Sequence, residues 1–200
     1  MNALAQTVRL PQPKTVGSVS LEETLAARQS VRSFRPDPLS LEQVSQLLWS
    51  AQGMTYDGRR RTAPSAGATY PLEVLLTVRS VEGLKPGVYR YRPSGHVLET
   101  IASHDVGRSL GQACLNQRFI ESAAINVVLA AEYGRTTQRY GERGRRYVHM
   151  EAGHVGQNLY LQAAAFGLGT VAVGAFEDED VRRILGIRED VLYIFPVGKK

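Results

Sequence analysis

The hydrophobic period of this chain switches from helix to strand and back without settling into a repeat, and that constrains the fold more than any other feature. Ser40-Leu41-Glu42-Gln43 is a capping box, in which Ser40 and Gln43 can each satisfy an orphan amide at a helix start. Val44, Leu47, Leu48 and Ala51 then recur at helical spacing, and Gly53 stands at the stop. Leu72 to Val78 reads instead as a strand. Val88-Tyr89-Arg90-Tyr91, the turn Arg92-Pro93-Ser94-Gly95 and the run from His96 to Ile101 read as a hairpin. Asp105 to Gln117 reads as a helix and Ile125 to Ala131 as a buried strand. Arg146 to Phe166 is the longest helix, closed by Gly167. Residues 178–185 form a short helix and Val191 to Val197 a last strand. Strands and helices mix without β-α-β alternation. That predicts an α+β fold, a mixed or antiparallel sheet flanked by helices, rather than a doubly wound one.

Upstream, Ser20-Leu21-Glu22-Glu23 is another capping box, opening a short helix that ends near Arg28. Residues 1–19 hold Pro11, Pro13 and Gly17 without periodicity, and read as an extended arm, loose unless docked on a partner. Residues 20–200 then form one domain, long enough for a real core.

Charge narrows the choice of ligand. The net charge is +5, and only four of the 24 basic residues are lysine: Lys14, Lys85, Lys199 and Lys200. Arginine favours bidentate contacts to phosphate or carboxylate. No basic cluster interleaves with aromatics as a nucleic-acid surface would, and Arg59-Arg60-Arg61 reads as an exposed loop. No apolar run approaches the roughly 18 residues of a membrane helix. Neither nucleic acid nor membrane is therefore expected as a partner. The single cysteine, Cys114, leaves no disulfide framework and no multi-cysteine metal site. A cytoplasmic location is expected. Ala3-Leu4-Ala5 resembles a signal-cleavage site, so export after removal of a signal is the alternative.

"ARQSVRSFR", Ala27 to Arg35, concentrates three arginines between a helix stop and Pro36. In an extended chain Arg28, Ser30 and Arg32 share one face, with Gln29 and Val31 on the other. Two guanidinium forks flanking a hydroxyl match the oxygens of a phosphate, although a solvated surface strand would use the same residues. "APSAGATYP", Ala63 to Pro71, combines small residues with a glycine, which lets a backbone approach something flat, or simply turns into the strand at Leu72. It lacks both the dinucleotide and the P-loop spacing. His149 and His154 are five apart, roughly 140° around a helix, so they form no metal site. Glu151, Gln157 and Asn158 stand in a helix rich in alanine and glycine, where Ala152, Gly153, Gly156 and Ala163 would allow close packing within the domain or across a dimer. Gly174 follows a short apolar stretch and could leave backbone amides facing a ligand. No side chain stands out as a catalytic acid, base or nucleophile.

Taken together and in order, these pieces resemble the FMN-dependent nitroreductase family, closest to its thiazole/oxazole (SagB-type) dehydrogenase branch. The resemblance rests on "RQSVRSF" at 28–34, "LLWSAQG" at 47–53, "APSAGATYPLE" at 63–73, "GVYRY" at 87–91, "RYVHMEAGHVGQNLYLQAAAFGLGTVAVGAF" at 146–176 and "PVGKK" at 196–200. It implies a nitroreductase-like sandwich working as an intertwined homodimer, with FMN at the interface. Arg28, Gln29, Ser30 and Arg32 would bind the cofactor, its phosphate held by the two arginines and Ser30 with Lys199 or Lys200. Pro64, Ser65, Ala66 and Gly67 would come from the other subunit to line the flavin. Val173, Gly174 and Ala175 would present backbone groups to its ring. NAD(P)H is the implied electron donor and a small molecule the acceptor.

One departure directs the functional expectation. Azoline-oxidising members of the branch are similar in using a Lys-Tyr pair for proton removal. Here the nearest pairs are Arg90-Tyr91, Arg139-Tyr140 and Arg146-Tyr147, and arginine stays protonated. A stand-alone reductase of nitroaromatics, quinones or similar acceptors is expected. A SagB-like dehydrogenase and a non-redox flavin-binding or flavin-degrading protein are the alternatives.

Overall fold

The structure is a computed structural model, and it describes residues 6–55 and 58–200. Among these residues the strands are β1 (Thr7–Arg9), β2 (Met54–Thr55), β3 (Arg60–Arg61), β4 (Leu72–Val78), β5 (Gly87–Arg92), β6 (Val97–Ala102), β7 (Ile125–Ala131), β8 (Leu168–Thr170) and β9 (Asp190–Lys199). The helices are α1 (Leu21–Ala27), α2 (Leu41–Gln52), α3 (Gly107–Ala113), α4 (Arg118–Ser122), α5 (Gly134–Tyr140), α6 (Arg143–Ala165) and α7 (Asp178–Leu185). Both capping boxes form as the sequence indicates, at Ser20 and Ser40.

Seven strands make one antiparallel sheet in the order β1-β6-β5-β4-β7-β9-β8, which is the α+β arrangement expected. β4 and β7 lie at its centre, pairing from Leu72 with Ala131 to Val78 with Ile125, and every residue in both is buried. Alternation divides their side chains between two faces. Leu72, Val74, Leu76 and Val78 meet α2 and α6, whereas Leu75, Val128 and Ala130 meet α3, α4 and α7. A sheet covered on both faces explains why β7 reads as a continuous apolar run.

Three corrections, and one choice between alternatives, concern local elements. The helix expected over 105–117 stops at Ala113, because Leu115 and Asn116 adopt left-handed φ values of 56° and 61°, and α4 follows separately. The polar helix α5 was not indicated by any apolar period. The arm does not wait for a partner. β1 pairs with β6, and Leu10, 2% exposed, is buried against the protein's own core, which covers an otherwise open sheet edge. Finally, of the two packings open to the small residues of α6, three of the four take the one within the domain. Ala152, Gly156 and Ala163 are buried, and a Cβ on Gly156 would meet the Phe195 ring at 2.7 Å. Only Gly153 faces open space.

Candidate functional site

The segment after α1 lies along the β8–β9 edge of the sheet. Its Val31 N–H donates to the Thr170 carbonyl at 2.9 Å, and its Arg35 N–H to the Lys199 carbonyl at 2.9 Å. The approach is close because β8 and β9 carry glycines there. A Cβ on Gly169 would meet Val31 at 2.7 Å, and one on Gly198 would meet Phe34 at 2.8 Å. Val31 and Phe34 therefore anchor the segment, and the hydrophilic residues between and before them face away.

The structure brings Arg28 and Ser30 to one ring, that of Tyr160 on α6. The Arg28 guanidinium carbon lies 5.2 Å from the ring centroid, and Ser30 Oγ lies 3.0 Å from Tyr160 Oη. The same Tyr160 hydroxyl accepts from the Ala172 N–H at 2.8 Å. Tyr160 thus ties the arginine segment to the stretch containing Val173, Gly174 and Ala175. Gln29, Ser30 and Arg32 are exposed, Lys199 is partly exposed beside Arg35, and Lys200 is exposed at the end of β9. Among the described residues, no carboxylate pairs with Arg28, Arg32, Lys199 or Lys200. Thr170 Oγ1, beside Ser30, is buried without a hydrogen-bond partner.

The three residues after Ala172 differ from one another. Val173 is buried, and both its backbone groups pair with Ile194, at 2.9 and 3.0 Å. It can form a wall but has no free amide to present. Gly174 and Ala175 are exposed, with N–H groups unpaired among the described residues, while the Ala175 carbonyl accepts from Gln117 Nε2 at 3.0 Å.

The loop at 64–70 sits elsewhere on α6. Ser65 contacts Glu151, nine residues before Tyr160, so about 14 Å separates the two attachments along the helix. Within one chain the structure does not bring Pro64, Ser65, Ala66 and Gly67 to the arginine segment. The loop is strained. Gly67, Ala68 and Tyr70 have φ values of 59°, 53° and 45°, and such clusters are held only by their surroundings. Ser65 Oγ accepts from the Tyr70 N–H at 2.9 Å, and Arg139 Nη1 donates to the Gly67 carbonyl at 3.1 Å. Below, Gln52 Nε2 donates to Glu151 Oε1 at 3.3 Å, and Arg61 Nη1 to Gln52 Oε1 at 3.0 Å. Burial pushes the Glu151 carboxyl above its usual range, and the bonds to Ser65 and Gln52 offset this only partly.

Tyr160 is the site residue that sequence reasoning missed. Its neighbours in α6 are apolar, and an aromatic at helical spacing carries no sign of what its hydroxyl will meet. Burial pushes the Cys114 thiol up to about 12, so it is no thiolate nucleophile. His149 bonds the Tyr133 hydroxyl. What the arrangement offers is an oxyanion cradle, with a hydroxyl at its centre, joined through Tyr160 to exposed backbone amides.

Comparison with known proteins is consistent with this architecture. A family model described as the nitroreductase family matches residues 25–199. A Methanocaldococcus jannaschii protein named as a nitroreductase is 47% identical over 197 residues, covering 98% of this chain and 99% of that one. A Ralstonia eutropha crystal structure of the same designation superposes with a TM-score of 0.85 at 28% identity, over 100% of this chain and 91% of that one. The Escherichia coli microcin B17-processing protein McbC is 29% identical over 157 residues. The match covers 74% of this chain and 57% of McbC.

Proposed function

The chain belongs to the nitroreductase family, and on that premise we propose that it is an FMN-dependent oxidoreductase. It takes two electrons from NAD(P)H and delivers them to a nitroaromatic, a quinone or a similar acceptor, the two substrates using one site in turn. The observation that carries this reading is that Arg28 and Ser30 meet at Tyr160, whose hydroxyl also takes the Ala172 N–H just before the exposed Gly174 and Ala175, while among the described residues no carboxylate pairs with Arg28, Arg32 or Lys199. Guanidinium groups that the fold leaves uncompensated fit a phosphate dianion. FMN, when bound, supplies the two-electron chemistry.

The protein's own residues bind, orient and shield. Arg28, Arg32 and Ser30 hold the phosphate, with Lys199 or Lys200 beside them. Ser30 is itself held by Tyr160. Gly174 and Ala175 offer N–H donors to the ring, and Val173 provides a buried wall. The 64–67 loop, stiffened by Glu151 and Arg139, serves the site of a second subunit. A homodimer is supported by the apolar residues that one subunit leaves in solvent: Leu21 is 60% exposed, Leu25 50% and Met150 53%.

The test is anaerobic. Protein incubated with FMN and desalted should keep a flavin spectrum, and adding NADH or NADPH should bleach it, with colour returning on addition of a nitroaromatic. Retained flavin that neither nucleotide bleaches would overturn the NAD(P)H-driven reaction and leave a binding protein.

A further inference from the structure

A different arginine, outside the cradle, also lacks a carboxylate. Arg61 on β3 lines a cavity of about 310 Å³ between β3, the start of β4 and the turn joining β5 to β6. Its Nη1 is fixed by Gln52 Oε1 at 3.0 Å, and its guanidinium stands 4.3 Å from the Tyr70 ring centroid. Among the described residues no carboxylate reaches ion-pairing distance of it. Burial works against its charge, and Tyr70, Glu151 and Glu73 favour that charge only through longer-range attraction.

Arg92 and Arg135 line the same cavity. Both bind Glu73, Arg92 Nη1 at 3.4 Å from Oε2 and Arg135 Nη2 at 2.7 Å from Oε1. Among the described residues Glu73 is the one carboxylate in the lining, where it faces three guanidiniums, and Ser94 adds an exposed hydroxyl at the rim. Glu99 and Glu132 pair with Arg92 and Arg135 from outside the lining.

We propose that this cavity binds a small oxyanion, the carboxylate or phosphate group of a small molecule, with Arg61 as its main contact and Arg92, Arg135 and Ser94 around it. A planar guanidinium presents paired N–H donors that match such a group. Arg61 is already held by Gln52 and Tyr70, so little freedom is lost on binding. The volume lies at the low end for ligand sites, about 300–1,000 Å³, which sets the ligand's size. Arg135 Nη1 also donates to the Tyr70 carbonyl at 3.1 Å. The bound anion therefore sits against the residue that closes the 64–70 loop.

The experiment is calorimetric titration of the full chain carrying Arg28→Ala and Arg32→Ala, which removes the competing cradle and makes the outcome independent of the flavin reading. The probes are inorganic phosphate and succinate in low-salt buffer. Saturable binding of at least one is expected, and the stronger probe identifies which oxyanion the cavity prefers. Adding Arg61→Gln should weaken it tenfold or more. Adding Ser94→Glu, at an exposed position that folding tolerates, should weaken it as well by placing a carboxylate at the rim. Absence of saturable binding of both probes, or binding unchanged by Arg61→Gln and Ser94→Glu, overturns the proposal.

Discussion

Two arginine clusters in this protein are treated in opposite ways. Around Glu73 the fold pairs its own charges: Arg90, Arg92 and Arg135 all reach that carboxylate, and Glu189, Glu99 and Glu132 each pair with one of the three as well. At the β8–β9 edge, Val31 and Phe34 anchor the segment and Arg28 lies over Tyr160, and among the described residues no carboxylate pairs with Arg28 or Arg32. The first cluster stabilises the subunit by joining β4, β5, β6 and α5. The second sets Arg28 over the Tyr160 ring and supplies it with no such network among the described residues. Composition treats the two alike, since both are arginine-rich. The difference lies in where the glutamates are: one cluster is a structural network, and the other is the one we propose as a binding site.

The strongest way to break this comparison is at Glu73. Burial alone would raise its carboxyl, but the hydrogen bonds from Arg90 and Arg135 outweigh that and hold it below the usual glutamate range. Glu73→Ala leaves several guanidiniums facing one another, and should lower unfolding free energy in urea by about 3 kcal/mol or more. FMN affinity of the remaining folded protein should be nearly unchanged. The acid limb gives the same information. A carboxyl held low in the folded state contributes fully above its unfolded value, about 4.3, and loses that contribution as the pH falls further. Glu73→Gln should therefore flatten the loss of stability between that value and lower pH. An equal effect of Glu73→Ala on folding and on flavin binding would erase the distinction.

The converse change is Arg28→Ala. Each charge-assisted bond contributes roughly 1.5–3 kcal/mol, so FMN binding should weaken about tenfold or more by fluorescence titration, while urea stability of the apoprotein stays level. Arg32→Ala should behave in the same way. Unchanged FMN affinity in both variants would remove the cradle from the site.

The smallest effect sharpens the contrast on α6, where one face is completed by the subunit and the other is not. Gly153→Leu meets nothing within 4 Å, so the subunit's own stability should hold or rise by up to about 1 kcal/mol through better helix propensity. Dimer content by sedimentation, and flavin occupancy with it, should fall. Gly156→Ala should instead destabilise the subunit by about 1–3 kcal/mol, because its new methyl meets Phe195.

Much of this was legible without coordinates. Ser20 and Ser40 announce their helices because a capping box is a local bond pattern, complete within four residues. Leu72 to Val78 and Ile125 to Ala131 announce the central strands because burial on both faces demands a mostly apolar run, broken here only by Glu73, Thr77 and Asn126. The phosphate-type cluster was legible as residue types at alternating spacing. Its arrangement was not. Phe34 packs on Gly198, far away in sequence, and Val173 loses both backbone groups to Ile194, so the free amides move to Gly174 and Ala175.

What the sequence by itself determined is therefore the set of local signals: caps, strand period, the family likeness and an excess of arginine. Only the tertiary structure decided which arginines are compensated. An ion pair depends on distance across the fold, and Glu73 meets Arg135, or Arg61 meets no carboxylate among the described residues, through strand register and loop path rather than through spacing along the chain. The same holds for Tyr160, whose hydroxyl joins Ser30 to Ala172 because β8 doubles back from the end of α6 and brings both beside it.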